Sequence, residues 1–162
     1  MNAVELLISQ HRTMEILLKG VLDAPDDASK NRMFAEAADQ LTVHIASEEQ
    51  VFYPAVKAAR TEDILLESLE EHLSLKRLLA DLLELNPSEQ TFEPKFKVLK
   101  EQAEHHHEEE EEKLFPKVRK LLDEERLEAL GREMIEMQTQ LKLKGEPRAQ
   151  VSNETGTAAP LK

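Results

Sequence analysis

Apolar residues recur at steps of three and four along most of this chain, the spacing that lines one face of an α-helix. A first stripe runs through Leu7, His11, Met14, Leu18 and Val21, and Asn2 with Glu5 three residues on resembles a capping box at its start. After a turn over residues 23–29, with Ser29 the expected N-cap, a second stripe carries Phe34, Ala37, Leu41, His44, Glu48, Phe52, Ala55 and Ala59. Thr61 is the expected cap of a third, through Leu65, Leu69, His72, Leu75, Leu79 and Leu82, which Asn86-Pro87-Ser88 ends. A fourth begins near Thr91 and presents Leu99, Ala103, His106, Glu110, Leu114, Val118 and Leu121. No run alternates with period 2, so the pattern predicts an all-α fold: an up-down antiparallel four-helix bundle over residues 1–122. An accessory C-terminal helix is expected within 123–144, from about Glu124 to Leu143, packed outside the bundle or capping its end. Residues 145–162 turn polar and are expected to form a disordered tail. Pro54 and Pro116 fall inside the second and fourth stripes and should kink or locally break those helices.

Composition narrows the chemistry. The net charge of −12 argues against a basic surface for nucleic acid or anionic membranes. With no cysteine, disulfides, iron–sulfur clusters and thiolate zinc sites are excluded. No apolar signal region and no long apolar run is visible, so a cytoplasmic location is the expectation. The stripes leave the oligomeric state undetermined.

The chain writes one pattern twice. Residues 44–56 read HIASEEQVFYPAV and residues 106–118 read HHEEEEEKLFPKV. At a constant offset of 62, His44 aligns with His106, Glu48 with Glu110, Glu49 with Glu111 and Pro54 with Pro116. Tyr53 or Phe115 precedes each proline. A histidine and a glutamate four apart share one helix face. A single such pair is read in preference as a buried hydrogen bond or a pair turned to water rather than as metal ligands. Two aligned pairs on apolar stripes read as metal ligands, because a bare buried carboxylate costs several kcal/mol that a cation offsets. Counting residues along antiparallel helices puts His11, His44, His72 and His106 within roughly one or two turns of the same depth. Four histidines and two carboxylates suit two ions of iron, manganese or zinc. His11 and His44 are assigned to one ion and His72 and His106 to the other, with Glu48 and Glu110 bridging. Such a site should favour small oxidants or anions such as peroxide, superoxide or azide. His105 and Glu109 point away from the stripe, and His107 and Glu111 lie about 100° around it. These are expected on a solvated acidic face, with a surface metal site from His105 or His107 as the alternative. Glu49 and Glu111 read as supporting or surface residues.

The two H-x3-E-E…(Y/F)-P segments, His44–Pro54 and His106–Pro116, together with His11 and His72, resemble the hemerythrin-like family, also called the HHE cation-binding domain. The resemblance covers about residues 1–122. It implies a non-haem di-iron centre in a four-helix bundle, two Fe ions with carboxylate bridges at Glu48 and Glu110, and O2, NO or peroxide as the small-molecule partner. Oxygen carriers of the family have two histidines four apart on the third helix. Here Lys76 follows His72 by four and Ser68 precedes it by four. One iron is therefore expected to lack a histidine, which favours oxidative or peroxide chemistry over reversible O2 carriage. The resulting expectation is a di-iron protein that senses, scavenges or detoxifies a small oxidant. The alternatives are a non-enzymatic iron or oxygen handler signalling through a partner, and a helical bundle without metal.

Overall fold

The computed structural model describes residues 1–162. Helices α1 (Ala3–Asp23) and α2 (Asp27–Ser47) form one antiparallel hairpin, and α4 (Glu62–Leu83) with α5 (Phe92–Glu109) forms the other. A π-helical turn, Glu48–Phe52, joins α2 to the short α3 (Tyr53–Val56), and a second, Glu110–Leu114, joins α5 to α6 (Phe115–Leu121). Helix α7 (Glu124–Leu143) packs against α1 and α2. The four-helix bundle with an added C-terminal helix is thus the observed architecture, and no helix is long and apolar enough to cross a membrane.

The prolines explain the π turns. Pro54 and Pro116 have no N–H to give to the preceding turn, and their rings clash with a carbonyl there. One extra residue per turn relieves this. Tyr53 N–H donates to the Glu48 carbonyl and Phe115 N–H to the Glu110 carbonyl, five residues back in each case. The expected kinks are therefore local widenings, one in each half of the repeat.

The caps follow short-range chemistry. Asn2 Oδ1 accepts from Glu5 N at 2.8 Å, and the Asn2 amide donates to the Glu124 carboxylate at 3.0 Å, which fastens the start of α7 to the start of α1. Asp26, not Ser29, caps α2: its carboxylate accepts from Ser29 N at 2.7 Å. Asp has the acceptor three residues earlier, so the helix starts at Asp27. Thr61 makes no cap bond. Its hydroxyl donates to the Val56 carbonyl at 2.8 Å and closes the loop after α3.

The apolar core comes in two parts. One part holds Met14, Leu18, Leu41, Leu75, Leu79, Phe96 and Leu99 at the end carrying the two hairpin loops. The other holds Leu7, Phe52, Tyr53, Leu65, Leu69, Leu114, Phe115 and Val118, with Leu127, Leu130 and Met134 of α7. Along each bundle helix a histidine falls between the two parts: Leu7–His11–Met14, and Leu69–His72–Leu75. A polar layer cuts the core, and the apolar burial on either side holds that layer dry.

The disordered tail is a correction. Residues Pro147–Glu154 form 3-10 turns against α2 and α4. Val151 is buried with Ile45 and Leu79. Arg148 pairs with Asp39 at 2.7 Å, Lys76 Nζ with Glu154 at 3.0 Å, and Arg77 Nε donates to the Thr155 carbonyl at 2.9 Å. The single apolar anchor gave no periodicity to read, and the polar contacts are to helices far away in sequence.

Gly131 sets how closely α7 approaches. A Cβ there would sit 2.8 Å from the Met1 carbonyl and 3.1 Å from Ala3 N, both backbone atoms. Gly131→Ala is therefore expected to lower stability by about 1–3 kcal/mol despite the higher helix propensity of alanine. A chemical-denaturation midpoint equal to or above that of the parent would show that the contact is slack.

Candidate metal centre

Seven ionisable side chains converge in the polar layer. Ligand-capable atoms of His11, His44, Glu48 and Glu110 lie within 4.8 Å of one another, as do those of Glu48, His72 and His106, and those of His11, His44 and His107. All seven residues are buried. Glu48 belongs to two of these groups. Its Oε1 lies 3.4 Å from His44 Nε2 and 3.2 Å from His72 Nε2, between the two hairpins. Glu110 Oε1 lies 3.3 Å from His11 Nε2 and 3.7 Å from His106 Nε2, a matching central position.

Of the polar atoms that face this centre, His72 Nε2 and His106 Nε2 lie 3.1 Å from each other, and six others lack partners. Buried and without a hydrogen bond are the Nε2 atoms of His11, His44 and His107, both oxygens of Glu48, and Glu110 Oε1. Buried polar groups are normally satisfied, and each orphan costs about 1–3 kcal/mol. Here every buried orphan in the chain belongs to one cluster, and its chemistry is imidazole and carboxylate, the donor set of iron, manganese and zinc sites. The residues fit a pair of cations.

The outward faces of four of the histidines are tied. His11 Nδ1 donates to Glu111 at 2.8 Å, His44 Nδ1 to Gln10 at 2.9 Å, His72 Nδ1 to Glu49 at 2.9 Å and His106 Nδ1 to Glu71 at 2.7 Å. A carboxylate or an amide oxygen can only accept, so these bonds put the proton on Nδ1 and turn Nε2 inward. This is the arrangement that orients metal-binding histidines. It repeats with the sequence. Glu49 and Glu111, aligned in the two copies, hold His72 and His11. Gln10 and Glu71, each just before a site histidine, hold His44 and His106. Lys76 braces Glu49 at 2.9 Å and Arg12 braces Glu111. Glu49 and Glu111 are thus supports, one of the two roles read for them.

Charge within the layer is uneven. Burial, with His11 beside it, holds His44 well below the ordinary imidazole range. Burial with His11 and His44 does the same to His107. Burial also opposes a proton on His106, but Glu110 and Glu71 outweigh it and raise that group. Burial and the neighbouring Glu110 push Glu48 well above the carboxylate range, while for Glu110 the upward effect of burial is overcome by His106 and His11. The two central carboxyls are thus shifted in opposite directions.

The hemerythrin HHE cation-binding domain profile matches residues 2–118. The chain belongs to this family. The HHE fold is seen directly in the crystal structure of a hemerythrin HHE cation-binding domain-containing protein from Mycobacterium kansasii, which is similar to this chain with a TM-score of 0.80 and 26% identity, covering 95% of this chain and 99% of that one. A curated relative, a DNA nickase of Nostoc sp. (strain PCC 7120), is 26% identical over 128 residues, 79% of this chain. The chain spans only 36% of that relative's length.

In this HHE domain the structure brings together all six sequence-derived candidates, His11, His44, Glu48, His72, His106 and Glu110, and adds a seventh. His107 was expected on a solvated face. It is 3% exposed and stacks on His11 with ring centroids 3.9 Å apart. Its neighbour His105 faces solvent, as expected. Counting at about 100° per residue places His107 at the edge of the stripe, and α1 packs over that edge with His11 against His107. A usable signal was present: at the offset of 62, His107 aligns with Ile45, a buried apolar residue, so position 107 faces inward in both copies.

Two further residues reach the centre. Tyr53 Oη donates to Glu110 Oε2 at 2.7 Å and lies 3.3 Å from His72 Nε2. Burial, then Glu110 and Glu48, push its phenol well above the ordinary range, so it stays an O–H donor. Phe115, its aligned counterpart, packs beside His11 instead. Gln138 of α7 donates to Gln10 Oε1 at 3.2 Å and to Ser47 Oγ at 2.8 Å. The accessory helix therefore supports the amide that orients His44.

Proposed function

We propose that this HHE domain holds two iron ions and binds or reacts with a small oxidant, O2, NO or peroxide. His11, His44 and His107 would hold one ion, His72 and His106 the other, and Glu48 and Glu110 would serve both. The observation that carries the reading is the set of orphaned buried nitrogens and oxygens converging on one centre. A bound iron pair would supply the electrons that reduction of such an oxidant requires.

His107 changes the expected loss of one histidine. It restores a fifth imidazole, but on the His11/His44 side. The His72/His106 side keeps two, and there the chain offers the Tyr53 hydroxyl. A donor O–H beside the side with fewer ligands favours proton-coupled chemistry on an oxidant over its reversible carriage. Tyr53→Phe is expected to leave iron content unchanged and to lower peroxide turnover by about 100-fold. Equal oxygen evolution from both proteins would assign Tyr53 to packing alone. In the chain as it stands, peroxide turnover should track iron content across preparations and be lost in His44→Ala and His106→Ala.

A second reading, a sensor acting through a partner, draws on one contact chain. Glu154 of the C-terminal segment pairs with Lys76, Lys76 with Glu49, and Glu49 with His72. Hydrogen exchange over residues 147–156 that changes on metal removal would favour this reading, and unchanged exchange would remove its support. Nicking of DNA is not carried over from the Nostoc relative. Most of that protein lies outside the match, and the net charge of −12 here repels a polyanion.

A further inference from the structure

We propose that Glu71, His105 and Glu109 form a second, solvent-facing site for a divalent transition-metal cation, one hydrogen bond from the buried centre. His105 and Glu109 are four apart on α5 and project together, with His105 Nε2 3.3 Å from Glu109 Oε1. Glu71 comes across from α4, and ligand-capable atoms of all three lie within 4.8 Å of one another. One imidazole with two carboxylates from two helices makes one face of a coordination sphere and leaves the rest to water.

Glu71 separates this cluster from an ordinary acidic surface. It is not a free carboxylate, since His106 Nδ1 donates to its Oε1 at 2.7 Å. The bond fixes where the carboxylate sits, and its other oxygen stays available to an ion. The conformational freedom that a surface carboxylate loses on binding is already given up by Glu71. The repeat has no copy of the arrangement. At the offset of 62, His105 aligns with Val43 and Glu109 with Ser47, so the feature belongs to one half only. Lys113 Nζ, 3.5 Å from Glu109 Oε1, is the competing cation.

An ion held here would share Glu71 with His106. Drawing electron density from that carboxylate weakens its acceptance from His106 Nδ1 and lowers the basicity of Nε2 toward the buried centre. The outer site is therefore placed to receive cations from solvent beside the pair that the inner centre holds, and to report its own filling to that centre. This coupling rests on the di-iron reading above, whereas the outer site itself does not.

The test is zinc titration of the iron-loaded protein by calorimetry, with iron content checked before and after. One further zinc per chain is expected. His105→Ala should weaken that binding by at least about tenfold without changing iron content. Lys113→Ala should strengthen it. Calcium should not compete, because it takes oxygen ligands and gains nothing from imidazole. Zinc filling should also shift the absorption of the iron centre in the parent and not in His105→Ala. Zinc uptake unchanged in His105→Ala, equal competition by calcium, or no uptake up to about 1 mM would each overturn the site. A chain that takes up no iron would overturn the buried di-iron reading alone. The difference in zinc uptake between that chain and His105→Ala would still decide the outer site.

Discussion

Glu48→Leu is expected to abolish metal loading and, in the same protein, to raise the melting temperature of the metal-free form. Glu48 is fully buried, and neither of its oxygens has a hydrogen-bond partner. Burial and Glu110 already hold its carboxyl toward the protonated form. Without a cation the residue contributes desolvation cost and no compensating bond. Replacing buried polar groups by apolar ones of similar size is often neutral or stabilising by about 1–4 kcal/mol. For a chain of this length each kcal/mol moves the midpoint by about 2–4 °C. The metal-loaded parent should show the opposite order, because ligands that bind only the folded state stabilise it by mass action. Thermal melts of parent and variant, each with iron and with chelator, read both signs. A variant that melts below the chelated parent would show that Glu48 is satisfied in the folded chain by something other than a cation.

His107→Ala is expected to lower iron content from two per chain to one, while His105→Ala leaves it at two. The buried Nε2 of His107 is an orphan that faces His11 and His44, and those three form one ligand group. Its removal leaves that side with two imidazoles and its share of the bridging carboxylates, while the His72/His106 side is untouched. Burial and the two neighbouring histidines keep His107 neutral, the state a metal requires. Elemental analysis of the two variants, expressed and purified alike, decides between them. Two irons in His107→Ala would return the residue to a packing role and restore the four-histidine centre that the i, i+4 spacing alone suggests.

The bundle was legible because four stripes at helical spacing each bury one face, and the site was legible because His44/Glu48 and His106/Glu110 sit on those stripes in register. What escaped has physical causes. The π turns add one residue to a turn, so phases counted past them drift, and His107 lies at the edge of its stripe, where only the packing of α1 decides its burial. The supports Gln10, Glu71 and Gln138 act across helices, and nothing local in the sequence pairs Gln138 with Gln10. The C-terminal segment is fastened by Val151 and by ion pairs to Asp39 and Lys76, contacts that composition does not encode. Tyr53 was visible as the aromatic before a proline. Its hydroxyl gained meaning only once Glu110 was placed beneath it.

The measurement that tests this account most directly is iron per chain, by elemental analysis of protein expressed in iron-replete cells and purified without a metal-binding tag. The account predicts two irons per chain. A chain without metal, or with a single zinc, would contradict it.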